Sequence, residues 1–143
     1  MKLFLDTADV NEVKKRLSTG LISGITTNPT LIFKSGKHSQ DVYWELIKLG
    51  IKDVSMEVVG DNEEDLFSRA MGHVKTYGDY ATIKVPCSVE GLNVCKRLSN
   101  VGVRVNVTLI FSPAQAILAS LAGATYISPF IGRMDDNSLD GMK

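Results

Sequence analysis

Ala81-Thr82-Ile83-Lys84-Val85-Pro86 is an apolar, strand-like run with a lysine at its centre. Its composition and length predict a β-strand. A lysine between Ile83 and Val85 is held out of bulk water. There the ammonium form is disfavoured, and a free amine can attack a carbonyl. The competing reading is a strand-end lysine whose stem lies on apolar surface while its head reaches solvent. The rest of the chain favours the first reading.

Five further runs have the same character: Leu3 to Asp6, Ile25 to Asn28, Val54 to Glu57, Val103 to Phe111 and Ala124 to Phe130. Strand side chains alternate between faces. Alternation groups Phe4 with Asp6, Thr26 with Asn28, Ser55 with Glu57, Thr82 with Lys84, Asn106 with Thr108, and Ser128 with Phe130. One face of each strand is apolar and suits packing against helices. The other turns polar toward the C-terminal end, as a parallel barrel with its active site at that mouth requires.

The intervening segments predict helices. Asp9 is a candidate N-cap before Val10, Val13, Leu17 and Leu21. Asp41 to Leu49 carries Val42, Leu46 and Ile47, with Gly50 as a stop. Asn62 to Tyr77 carries Leu66, Ala70, Val74 and Tyr77. Ser88 caps a helix bearing Leu92, Cys95 and Leu98. Ser112-Pro113 opens a helix that Gly123 closes. Phe33 to Gln40 is the most loop-like stretch. The repeated β-α order gives an α/β class with a parallel sheet, read as one TIM (β/α)8-type domain over residues 1–143. A doubly wound open sheet is the alternative. No Gly-x-Gly-x-x-Gly turn follows the first strand, so nucleotide chemistry lacks support.

The 143 residues are 44% apolar, and sixteen basic residues balance sixteen acidic ones. No basic footprint for nucleic acid or a membrane surface is present. No apolar stretch is long enough to span a bilayer, and Asp6 interrupts a signal peptide, so the expected location is cytoplasmic. Cys87 and Cys95 read as free thiols. His38 and His73 lie apart, in a polar connection and on a helix, and support no metal site.

Five motifs in order carry a resemblance: Asp6-Thr7-Ala8, Thr26-Thr27-Asn28-Pro29-Thr30, Lys84-Val85-Pro86, Asn106-Val107-Thr108-Leu109-Ile110-Phe111-Ser112, and Ser128-Pro129-Phe130-Ile131-Gly132-Arg133. From Met1 to about Asp136 the chain resembles the transaldolase family, in its short single-barrel branch, without large gaps. The resemblance implies that Lys84 forms a Schiff base with the ketone of a sugar phosphate. It implies that Asp6 takes the hydroxyl proton during carbon–carbon cleavage, and that Glu57 shuttles protons through a water held by Thr108. Asn28 and Asn106 would orient the dihydroxyacetone hydroxyls, Ser128 and Arg133 would hold the phosphate, and Phe130 would line the site. It also implies a homo-oligomer acting in the pentose phosphate pathway. A protonated imine is itself an electron sink, so no metal or organic cofactor is expected.

Each position has a plainer reading. Asp6 could cap a turn, Glu57 could pair with Lys84, and Thr108 could be an ordinary strand residue. Asn28 and Asn106 could be turn or strand-end hydrogen bonders. Arg133 could be a solvated loop residue, and Thr26 reads as barrel filler. The related fructose 6-phosphate aldolases carry glutamine at the Glu57 position and tyrosine at the Phe130 position, so Glu57 and Phe130 favour transfer over release of free dihydroxyacetone. A third reading is a non-catalytic barrel fragment acting as an assembly partner. Successive strands begin about 25 residues apart, and a closed barrel needs eight βα units, of which this chain supplies six. The tail from Asp135 to Lys143 is read as stopping where the sixth helix should begin. The chain alone is therefore expected to fold poorly, aggregate or close its gap through another subunit, with little turnover until strands seven and eight are supplied.

Overall fold

The computed structural model describes residues 1–138 and 140–142. It contains six strands: β1 (Leu3–Asp6), β2 (Ile22–Thr26), β3 (Val54–Glu57), β4 (Ala81–Pro86), β5 (Val105–Ile110) and β6 (Tyr126–Pro129). Between and after them lie α1 (Val10–Leu17), α2 (Pro29–Ser35), α3 (Ser39–Lys48), α4 (Glu63–Tyr77), α5 (Val89–Asn100), α6 (Pro113–Leu121) and α7 (Ile131–Asp136). Strand order follows sequence order, and the paired strands are parallel. The architecture is the expected incomplete α/β barrel, with six βα units. No helix among the described residues is long and apolar enough to cross a membrane. The backbone divides into two compact units: Met1–Glu57 with His73–Thr82, and Val58–Gly72 with the chain from Ile83 onward.

In the first unit, Asp6 is in register with Thr26, and Thr26 with Ser55. Ile25, Val54, Met56, Val42 and Leu46 are fully buried. The Asp9 carboxylate accepts the backbone N–H groups of Asn11 and Glu12, which fixes the start of α1. That helix ends at Leu17, and Gly20 follows with φ of 69°. Leu21 therefore lies outside the helix that its spacing predicted, and is exposed. Phe33 to Gln40 is also mostly helical rather than loop. Asn28 accepts the N–H of Leu31, Pro29 occupies the first turn, and left-handed Gly36 closes α2. A seven-residue helix held by its caps offers too few turns for apolar periodicity to reveal it.

His73 packs edge-on to Tyr43, with ring centroids 5.9 Å apart, and lies 5.8 Å from the Tyr77 ring. Burial among these rings lowers the His73 pKa below its ordinary 6.5. The unfolded chain then binds the proton more readily than the folded one, so stability rises with pH through this range and falls as pH drops below about 6.5. His73→Phe should flatten that part of a urea midpoint-versus-pH profile. An unchanged slope between pH 5 and 7 (the range in which an ordinary histidine titrates) would remove His73 from the account.

In the second unit, β5 pairs with β4 on one side and β6 on the other. Ile83, Val85, Val105 and Val107 are fully buried, as are Val94, Cys95 and Leu98 of α5. Ser88 caps α5 by accepting the Gly91 N–H at 3.1 Å. A Cβ on Gly91 would collide with the Pro86 carbonyl, so glycine permits the first turn of α5 to sit on the end of β4. Cys87 and Cys95 are free, and burial pushes the Cys95 thiol up to about 11. The helix of the sixth βα unit begins right after β6, as α7 (Ile131–Asp136), rather than at the end of the tail from Asp135 to Lys143. Phe130 lies just past β6 and precedes this helix without a side-chain cap, so no sequence signal marked its start. Of that tail, Leu139 and Lys143 lie outside the described residues.

Candidate active site

Asp6 and Glu57 end their strands, Lys84, Asn106, Thr108 and Ser128 lie within theirs, and Asn28, Phe130 and Arg133 follow strands; each unit gathers its own set. In the first, Asp6 ends β1 and Glu57 ends β3, while Asn28 follows β2. Thr26 donates its hydroxyl to Asp6 Oδ1 at 2.8 Å. Thr26 is therefore an orienting partner of the Asp6 carboxylate rather than filler. The signal was available, because Thr26 shares the parity of Asn28. Asn28 Oδ1 accepts the Leu31 N–H at 2.9 Å, so this side chain serves as the α2 cap. Thr27 donates its hydroxyl to the Ser55 carbonyl at 2.9 Å. Tyr43 shares a side-chain hydrogen bond with Thr27, and its pKa is raised chiefly by burial. Thr27 has spent its one proton on Ser55, so the Tyr43 phenol is the donor.

In the second unit, Lys84 is only 4% exposed between two fully buried neighbours. Its carbonyl accepts the Val58 N–H at 3.0 Å, and it is in register with Asn106. Asn106 Oδ1 accepts the Ser128 hydroxyl at 2.9 Å. Thr108 is in register with Pro86 on one side and Ser128 on the other. Lys84, Asn106, Thr108 and Ser128 thus occupy consecutive positions across three paired strands. Thr108 is 1% exposed, and its hydroxyl makes no hydrogen bond among the described residues. Leaving a buried hydroxyl unpaired costs about 1–3 kcal/mol. A site that positions this group for a bound partner accounts for that cost better than an ordinary strand threonine does.

Leu109, directly after Thr108, has φ of 60°, and the β5–β6 register shifts between Thr108 and Ile110. A leucine in left-handed backbone costs about 1–3 kcal/mol, and such strain concentrates at functional sites. Phe130 packs against Phe111 with ring centroids 5.5 Å apart and planes inclined at 61°. Arg133 is exposed on α7, and its carbonyl accepts the Asn137 side-chain N–H at 2.8 Å. Neither the Leu109 conformation nor the Phe111 contact has a signature in residue type or spacing. No group of three His, Cys, Asp or Glu side chains among the described residues could hold a metal ion.

These groups suit carbonyl chemistry. The second unit sets a buried lysine beside amide and hydroxyl side chains, and the first unit sets a hydroxyl on a strand-end carboxylate; both are residue types that such chemistry uses. Comparison with known proteins points the same way. Residues 3–143 match the family model described as Transaldolase/Fructose-6-phosphate aldolase. A probable transaldolase of Anaeromyxobacter dehalogenans (strain 2CP-C) is 51% identical over 99% of this chain and 65% of its own length. Probable transaldolases of Nitrosopumilus maritimus (strain SCM1) and Geobacter sulfurreducens (strain ATCC 51573 / DSM 12127 / PCA) are 47% and 46% identical over 99% of the chain, which covers 64% and 66% of them. The chain thus spans about two thirds of the length of these relatives. It belongs to the transaldolase/fructose-6-phosphate aldolase family.

Proposed function

We propose that this chain supplies the reacting lysine and most of the binding groups of a transaldolase, which moves a dihydroxyacetone unit between sugar phosphates. The observation that carries the reading is buried Lys84 at the centre of β4, flanked in register by Asn106, with the Ser128–Asn106 bond and the unpaired Thr108 hydroxyl on the next strands. In this reading the Lys84 amine adds to the ketone of a donor such as fructose 6-phosphate, and water leaves to give a protonated imine. Asp6, oriented by Thr26, removes the proton from the hydroxyl on the far carbon of the scissile bond. That bond breaks, its electron pair enters the imine as an enamine, and an aldose phosphate departs. An incoming aldose phosphate takes the enamine carbon at its aldehyde, its oxygen is protonated, and water releases the new ketose phosphate from Lys84. Glu57 and Thr108 handle protons for the imine steps. Asn28 and Asn106 orient the substrate hydroxyls.

Ser128 and Arg133 hold the phosphate in this reading. The exposed guanidinium of Arg133 suits a doubly hydrogen-bonded anion. Sugar phosphates are the partners, the assembly is a homo-oligomer, and the reaction belongs to pentose phosphate interconversion in the cytoplasm.

Phe130 separates transfer from simple cleavage, because phenylalanine offers no hydroxyl to protonate the enamine. Transfer to an aldose phosphate acceptor should exceed acceptor-free release of dihydroxyacetone. Phe130→Tyr should raise the release severalfold. The assay uses the chain with the C-terminal third of the Geobacter sulfurreducens relative supplied in trans, so that open strand edges have partners. Equal release by the parent and the tyrosine variant would count against this role of Phe130.

A further inference from the structure

On β5, Asn106 and Thr108 belong to the face that carries Ser128, as the 2.9 Å Ser128–Asn106 hydrogen bond and the Thr108–Ser128 register show. Regular alternation would next place Ile110 on that face and send Phe111 to the other. The left-handed Leu109 inserts one extra residue, so that Thr108 opposes Ser128 but Ile110 opposes Pro129. Ile110, 2% exposed, is offset by one position from the Asn106–Thr108 alternation, and its carbonyl accepts the Phe130 N–H at 2.9 Å. Phe111 comes to rest on the Phe130 ring. Gln115 of α6 holds it there, accepting the Phe111 N–H at 2.7 Å. About two fifths of the Phe111 surface stays open, at 41% exposure, so the ring is placed without being consumed by packing.

We propose that the Leu109 bulge delivers Phe111 to the site face, where it forms with Phe130 an apolar wall that reserves the Lys84 enamine for an aldehyde rather than for water. This inference rests on the transaldolase reading and adds to it a residue that determines specificity, Phe111, and one that positions it, Leu109. After donor cleavage the enamine has two fates. In transfer, its carbon forms a bond to the acceptor aldehyde carbon, and the aldehyde oxygen takes a proton. In release, the same carbon takes a proton, water adds to the resulting iminium carbon, and the Lys84 amine departs to leave free dihydroxyacetone. Hydrolysis at Lys84 ends both fates, so the proton delivered to the enamine carbon is what release alone requires. An aromatic wall slows that protonation while leaving the attack on the aldehyde intact.

The first test reads the geometry in the full chain, with Cys87→Ser and Cys95→Ala as background. Phe111→Cys with Phe130→Cys should be bridged by dibromobimane, whereas Ile110→Cys with Phe130→Cys should not. The reverse pattern, or no bridging of the first pair, overturns the placement. The second test reads the partition between transfer and release with the complementing segment in trans. Phe111→Ala should raise release relative to transfer severalfold, and Phe111→Leu should restore part of the difference. Leu109→Gly, which keeps the bulge, should retain the parental partition, while deletion of Leu109 should behave like Phe111→Ala. An unchanged partition in Phe111→Ala overturns the proposal. Borohydride trapping of dihydroxyacetone on Lys84, run in parallel, separates the two levels. Trapping with an unchanged partition defeats this inference alone, and no trapping in the parent defeats the transaldolase reading itself.

Discussion

Borohydride reduction in the presence of dihydroxyacetone is expected to fix one stable adduct, on Lys84. The lysines differ sharply in setting. Lys2, Lys14, Lys34 and Lys37 are exposed, whereas Lys84 is 4% exposed inside a strand of apolar neighbours. An exposed ammonium is strongly hydrated, whereas Lys84 is held among apolar neighbours and in register with Asn106. Lys84→Met keeps the length and apolar stem of the side chain, so the core should persist within about 1.5 kcal/mol. Turnover should fall by at least about 10⁴-fold, the scale on which loss of a covalent nucleophile acts. Asp6→Asn should behave differently. It keeps an acceptor for the Thr26 hydroxyl, so the adduct with dihydroxyacetone should still form while cleavage of the donor is lost. Peptide mapping after reduction reads both outcomes. An adduct on Lys2 or Lys14 with Lys84 untouched would remove Lys84 as the nucleophile.

The strand cores were legible because they follow from short-range rules. Leu3–Asp6, Val54–Glu57 and Ala81–Pro86 have the expected limits. The helix starts at Asp9, Ser88 and Ser112 were legible for the same reason, since each side chain accepts a backbone N–H in its own first turn. Two kinds of feature were hidden. The seven-residue α2 exists through its caps, and apolar period is a poor guide at that length. The Leu109 conformation contradicts the local preference of leucine, so only the neighbouring strand and the Thr108 site can impose it. The dual use of Asn28, as helix cap and proposed substrate ligand, is likewise a matter of geometry that residue type leaves open.

The isolated 143-residue chain is expected to self-associate and to turn over poorly until a C-terminal complement is supplied. Among the described residues, β1 has a strand neighbour on one side only, β2, and β6 has only β5. An open edge presents unpaired N–H and C=O groups and recruits other strands. The surface beside β6 adds to the problem. Ile117, Leu118 and Leu121 of α6 are exposed, Leu121 at 73%, and Ile127 of β6 is exposed with them. The helix that follows β6 has six residues, Ile131–Asp136, a length of about 9 Å. In a closed barrel the equivalent helix and two further βα units would cover such surfaces. A domain's net stability is about 5–15 kcal/mol, so leaving two of eight layers unpacked can consume it. Sedimentation of the chain alone should therefore give concentration-dependent oligomers or aggregates, with turnover at the limit of detection. Adding the C-terminal third of a relative, fused or in trans, should narrow the size distribution and restore transfer activity. A cooperatively melting monomer with full turnover would show that six βα units suffice, and that the open edges and the apolar face of α6 need no partner.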